Sequence, residues 1–452
     1  MLRPPHPAFP VIPRPDLLDA HSPAGLEVFQ LTDDRVPHCH VYMDAQVFTP
    51  DSARLVLHRS AHAHGSHPAD PEHRFLLCDL ANGGALTPLT SEVGATAPCV
   101  SPCGTWLWYF VDETKVGGGR LSLRRVPLSG GEPETALVLD APLPETKGRP
   151  SLIDFVSTIR SDGLRIALTA FFGDGKAEGA PWGLMVFNLE DGSVSVPLQG
   201  PHMGDLHPQY RRSTDPEAMR DLLVQENHGN CYFPDGSTRS RCAAAWDTEA
   251  KGVPRPLAAK RGLNPIRNFT GFGPDAHVVR DDGTLLRSLP WGRDGNETCQ
   301  GHQCWRGNTD WAITSTLNEQ PEAQYLIESR AIEADRVHEG ARLREGTRNR
   351  LCRALESSAF FHFATDAAGR FLVTDRGRLL SATEIWLARL GETGQDPAAW
   401  ARLLDTRGPV AKQTQLHPFL SPDGRAAFFN SAENGVLHAY MVRGLERVTA
   451  FA

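Results

Sequence analysis

Phe419-Leu-Ser-Pro-Asp-Gly-Arg-Ala-Ala-Phe-Phe429 is the stretch that decides the fold. An apolar pair runs into Ser-Pro-Asp-Gly, and a second apolar run follows at once. Pro and Asp open a tight turn and Gly closes it, which is the chemistry of a hairpin. Working outward, relatives of this unit occur at 47–57, 100–110, 159–168, 305–313 and 365–373, with a looser copy over 210–224. The strands after these turns start about 50 to 60 residues apart, the period of four-stranded propeller blades. One wider gap separates Val224 from Trp311 and holds a further hairpin at 276–286. Seven copies predict an all-β, seven-bladed β-propeller over 26–452, preceded by a proline-rich surface arm over 1–25. Residues 319–353, rich in Glu, Arg and Ala, read as a helical excursion. Closure of the ring predicts that 26–31 pairs with the last blade, because an open propeller exposes two sheet edges.

Composition excludes several classes. The chain has 452 residues, 40% hydrophobic and 22% charged, which is a globular balance. A formal charge of −8 gives no basic stripe for nucleic acid. No run approaches the ~20 apolar residues of a membrane span. Residues 1–19 lack the charged-then-apolar order of a signal peptide. The nine cysteines are dispersed, and only Cys99 and Cys103 lie close together, so zinc-ligand spacing is absent. They read as buried thiols in a reducing cytoplasm. There is no Gly-x-Ser-x-Gly elbow, no His-Glu-x-x-His and no phosphate loop.

Comparing the repeats position by position isolates the chemistry. Aligned on their turns, the fourth to seventh copies begin the leading strand with His207, His302, His362 and His417. Histidine occurs 18 times in 452 residues, so four coincidences in one register are not expected by chance. The leading strand of a blade lines the central channel, and the shared register places these imidazoles around its mouth. Imidazoles gathered there suit metal ligation or proton transfer. Gln413, Gln415 and His417 share one face of an extended strand. Arg211 follows the fourth-copy histidine, and a guanidinium there is a carboxylate receptor. The run His58, His62, His64, His67 and His73 matches no ligand spacing and reads as a solvated insertion.

At these residues the chain resembles the oligogalacturonate lyases, cytoplasmic seven-bladed propellers that cleave short pectin-derived uronides. The matching pieces are Gln30-Leu-Thr-Asp33, His40-Val-Tyr42, His207-Pro-Gln-Tyr-Arg211, His228-Gly229, Gly301-His-Gln-Cys-Trp305 and the stretch from His417 to Gly424. The resemblance implies a manganese ion held by His302, Gln415 and His417; the family's fourth ligand, a glutamine, falls on Lys412, or on Gln413 with a one-residue shift. It implies His228 as the base, and Arg211 as carboxylate partner or alternative base. His40, His207, Tyr210 and His362 would line the sugar subsite. The chain departs from the family pattern at Gln415, where the family has histidine, and at Gln303, where glutamate is usual.

The implied reaction is β-elimination across a 4-linked uronate. The proton at C5 is removed and the oxygen at C4 expelled. Neutralising the adjacent carboxylate stabilises the enolate-like charge, and an imidazole can then take the proton. The partner is an acidic oligosaccharide, and nucleic acid and membrane are not expected. Two other readings stand beside this one: a non-catalytic propeller that binds other proteins, and a metal-dependent sugar enzyme of another reaction type. The paired acids of a hydrolase do not occur in the repeated register.

Overall fold

Arg54–Arg59 shows how these strands are made: Leu55, Val56 and Leu57 are all fully buried, so the strand is covered on both faces and its sequence is a continuous apolar run. The structure, a computed structural model, describes residues 11–33, 35–65, 70–115, 118–172, 182–200, 203–226, 274–289, 291, 301–317, 324–330, 348–350, 360–376, 383–392, 398–408 and 414–449. Among them there is no α-helix. Five antiparallel sheets have four strands each, and a nine-stranded sheet carries both ends of the chain.

The leading strands of the four-stranded sheets are Ala95–Val100, Leu152–Ile159, Gln209–Tyr210, Gln303–Trp305 and Phe360–Thr365. In the nine-stranded sheet, Phe419–Leu420, Ala426–Ser431, His438–Arg443 and Glu27–Gln30 form one antiparallel group. His38–His40 begins a second group, joined to the first by one parallel bridge, His38 to His438. The expected closure is therefore observed: Val28 pairs with Val442 and Phe29 with Met441. Ile12–Pro13 adds an outer strand on Glu27–Gln30. In the 319–353 segment the described residues are strands, Gln324–Arg330 and Arg348–Arg350, and not a helix. Seven cross-strand pairs from Trp311 through Leu317 to Gln324–Arg330 override its local helix propensity.

Successive sheets pack face to face. Phe110 and Leu123 of one meet Leu168, Met185 and Phe187 of the next, with the Phe110 and Phe187 rings 5.1 Å apart. The leading strands are also tied directly around the channel. Val100 donates to the Gln46 carbonyl, and the Gln46 side chain accepts from the Ile159 amide at 2.6 Å. Tyr210 donates its amide to Thr158, and the Gln209 and Trp305 side chains bond across to the carbonyls of Gln303 and Gln209. Thr365 donates to the Trp305 carbonyl, Ala367 to that of Pro422, and Asp423 to Ser52. The links run from the first copy to the last and back to the first.

Three of the leading strands are also broken. The register shifts between Thr96 and Cys99, between Ile153 and Ser157, and between Phe360 and Phe363. In the first copy, pairing stops at His40–Leu57 and resumes at Phe48–Leu55, leaving 41–46 outside the ladder. Ala97, His207 and His417, each followed by proline, have φ of 48°, 46° and 42°. A bulge re-aims the side chains it contains, and here it turns them toward the channel mouth.

Closure by Val28, which is 2% exposed, gives a direct test. Val28→Asp places an unpaired carboxylate in the closing strand and is expected to cost about 3 kcal/mol or more. Urea unfolding checks this, with Glu27→Gln on the exposed side as the near-neutral comparison.

Candidate functional site

The broken stretches deliver a connected set of rings. His64 packs against His417 with ring centres 4.5 Å apart, His417 against His362 at 4.3 Å, and His362 against His302 at 4.7 Å. His62 extends this row beyond His64 at 5.3 Å. Tyr42, from the 41–46 break, touches His417 at 4.9 Å, His207 at 5.2 Å and His64 at 5.5 Å. Three of the four in-register histidines thus form one row, and Tyr42 connects the fourth to it.

His417 is fully buried, and among the described residues neither ring nitrogen has a hydrogen-bond partner. Burial holds it well below the usual histidine range, and the neighbouring imidazoles of His362 and His64 add to this. A neutral ring is the form that binds a metal. His362 is oriented by Asp375, whose carboxylate oxygens accept from its backbone amide at 2.8 Å and bond its Nδ1 at 2.8 Å. A carboxylate on Nδ1 fixes the ring's orientation, as such support does for metal-bound imidazoles. Thr314 and Thr374 donate to the carbonyls of His302 and His362, fixing both strand starts in the same way.

His207 has the opposite chemistry. Its Nδ1 meets Asp44 at 3.1 Å and its Nε2 meets Asp205 at 3.0 Å. Burial opposes its charge, but the two carboxylates outweigh it and hold the ring protonated well above the usual range. Asp154, in the break between Ile153 and Ser157, is raised to about 7 by burial and then by the charge of Asp205. The mouth therefore combines a neutral imidazole at His417, a fixed imidazolium at His207 and a carboxyl group balanced near neutrality.

Gln415 is buried two residues before His417. Gln413 and His228 lie outside the described residues, so the structure does not place the fourth ligand or the base. The rings of His40 and Tyr210 lie away from the mouth. His40 is fully buried edge-on to Phe419 and Phe428, with Nε2 bonded to the Tyr440 carbonyl at 3.0 Å. Tyr210 packs in the core and points its hydroxyl at Asp281, 3.4 Å away. Arg211 leans toward Asp221 at 3.9 Å and lies over Trp305, while Arg212 turns into the channel, as neighbours on an extended strand must.

Sequence reasoning missed Tyr42, Asp44, Asp154, Asp205 and His64. Tyr42 stood in a quoted motif, but its place in a break was not visible. The histidine run at 58–73 is not wholly a solvated insertion: His58 and His73 are buried, and His64 joins the row. His58 Nε2 sits 3.0 Å from the Cys39 sulfur, which anchors the run to the first copy. His67 lies outside the described residues. One group of His and acid donors lies mutually within 4.8 Å, namely Glu226, Asp275 and His277, on the second and third strands of the sheet led by Gln209–Tyr210. Its histidine is already held by Glu226 and Ser288, each at 3.2 Å.

No protein-family model matches the sequence, and no curated protein matches it. Solved structures do. An oligogalacturonate lyase in complex with manganese superposes with a TM-score of 0.65 at 17% identity, covering 98% of each chain. An oligogalacturonate lyase from Vibrio parahaemolyticus superposes at 0.62 and 14% identity, covering 98% of this chain and 99% of that one. At such identity the likeness shows a shared propeller-like fold across the whole chain.

Buried neutral histidines predict acid sensitivity. Burial pushes His40 down to about 3 and His73 down to about 4. The unfolded chain takes up these protons below about pH 6.5 while the folded chain does not, so stability is lost as pH falls. His40 alone is expected to cost about 2 kcal/mol between pH 7 and pH 5. The raised His207 partly offsets this, because its contribution is complete only below about 6.5 and still grows by about 1 kcal/mol between pH 7 and pH 5. Urea midpoints at the two pH values check this, and equal midpoints would contradict neutral buried rings.

Proposed function

We propose that the chain is a seven-bladed β-propeller in which the nine-stranded sheet is the first and last blades joined. We propose that it is a metal-dependent lyase that cleaves short uronic-acid oligosaccharides by β-elimination to 4,5-unsaturated products. The observation that carries this reading is the row of touching imidazoles around His417, whose two buried nitrogens have no hydrogen-bond partner among the described residues.

The residues fit a metal as neighbouring pairs of imidazoles; among the described residues no three nitrogens of the row lie within 4.8 Å of one another, so an ion would draw the rings together. The ring centres of the pairs are 4.5, 4.3 and 4.7 Å apart. His302 and His417 would hold the ion, with His362 added from the next blade, His64 from the first, and Gln415 with Gln413 supplying amide oxygen. When bound, a divalent cation neutralises the uronate carboxylate and stabilises the enolate-like charge. The solved neighbour carries manganese, whereas an imidazole-rich set ranks copper and zinc above it by affinity.

The chain's own groups supply the rest. Both ring nitrogens of His207 are already bound to Asp44 and Asp205, so the imidazolium would order those two carboxylates rather than meet substrate. Arg211, which only leans toward Asp221 at 3.9 Å, would pair a second uronate carboxylate. His228 remains the proposed base by resemblance. Asp154, poised near neutrality, is the described group suited to move a proton at the mouth. A relative that keeps the ring row and changes the sugar chemistry is the second reading, favoured by Gln415 and Gln303 standing where the family has other residues.

Ultraviolet absorbance of the unsaturated product tests the reaction, with galacturonate, glucuronate and rhamnosyl-uronate oligomers and added manganese. A rise abolished by chelator is expected; no rise with any oligomer removes the lyase reading. His228→Ala is expected to bind metal and lose turnover. Asp375→Asn should weaken metal binding about 10- to 100-fold, read by metal content after dialysis. Unchanged content would show that His362 is not a ligand.

A further inference from the structure

The leading strands run from the histidine mouth to their hairpin turns, so the turns mark the opposite end of the channel. A cavity of about 200 Å³ lies there, rimmed by turn residues such as Pro50, Pro102, Ser161 and Pro422. It joins a smaller space of about 30 Å³ through Met43, Gln46, Arg212, Ala364 and Thr365, which line both. A single water needs about 10–15 Å³, so the larger space is ligand-sized. Its walls are mostly hydrocarbon, including Val47, Phe48, Val100, Ile159, Phe419 and Leu420.

One charge faces this space. Arg212 makes no hydrogen bond or ion pair among the described residues, and its nitrogens retain access to the cavity. The other charges nearby are committed. Asp44 bonds His207, Asp366 bonds Arg370, and Arg160 bonds Asp162 and Asp281. Burial pulls the Arg212 guanidinium below its usual range and outweighs the attraction of the more distant Asp366 and Asp44, so the walls strip its hydration without a bonded counter-charge. A guanidinium fork pairs both oxygens of a carboxylate, and an apolar chamber beside it fits a hydrocarbon body. Asp44 and Asp366 act on Arg212 electrostatically and disfavour a dianion at the same place.

We infer that this end of the channel is a second binding site, for a small organic monocarboxylate whose carboxylate pairs with Arg212 and whose hydrocarbon body fills the chamber. It is separate from the histidine mouth and does not depend on the lyase reading.

Calorimetric titration of the full chain with octanoate and with benzoate tests it, before and after chelator treatment. At least one is expected to bind, equally in both preparations. Arg212→Met is expected to lose tenfold or more in affinity, and Ala364→Phe, which fills the chamber, to lose binding as well. Arg212→Met should melt no lower than the parent, because it removes a buried charge that lacks a partner. Absence of binding by the parent, or equal affinity in Arg212→Met, overturns the site. Tighter binding of phenyl phosphate than of benzoate overturns the ligand class. If Arg212→Met does not fold, Ala364→Phe decides: retained affinity there also overturns the inference.

Discussion

The hydrogen bonds that pass from one leading strand to the next around the channel are the constraint on which the rest depends. A stack of small sheets packed by apolar faces alone could slide, because hydrophobic contact is not directional. Here Gln46, Thr158, Gln209, Trp305 and Thr365 each bond a backbone group or side chain of the adjoining strand. Such bonds have one register. They set the height of each leading strand relative to the neighbour it bonds. Closing the ring with Glu27–Gln30 removes the last pair of edges and fixes the circumference.

Positive φ recurs at one position of the repeat. His207 and His417 adopt positive φ immediately before proline, a position where both the side chain and the following ring restrict the backbone. Ala97-Pro98 has the same conformation, which shows that it belongs to the architecture of the repeat and not to histidine. The repeat provides a strained shelf at the channel mouth, and the residue on that shelf decides what the copy contributes. Alanine contributes a wall, and histidine contributes a nitrogen.

The fold was legible because its signals are local and repeated: a turn motif, a period, and a shared position for histidine. Strand pairing at the wide gap and over 324–330 was less legible, since long-range pairing overrode local composition there. In the site, His302, His362 and His417 could be found by register, and they do meet. His40 was misleading because sequence cannot tell a channel histidine from one packed edge-on to Phe419 and Phe428. His64 was hidden for the converse reason: it reaches the row from outside the repeat, where no register applies. Asp44 and Asp205 were hidden because the breaks that present them depend on pairing, and a break leaves no mark in composition.

Two histidines of the same register are held in opposite states within reach of one tyrosine. His207 lies between two carboxylates and is kept charged; His417 lies among imidazoles and apolar rings and is kept neutral. Their ring contacts with Tyr42 are 5.2 and 4.9 Å. Neighbouring charge makes the difference, since both rings occupy equivalent places on equivalent strands.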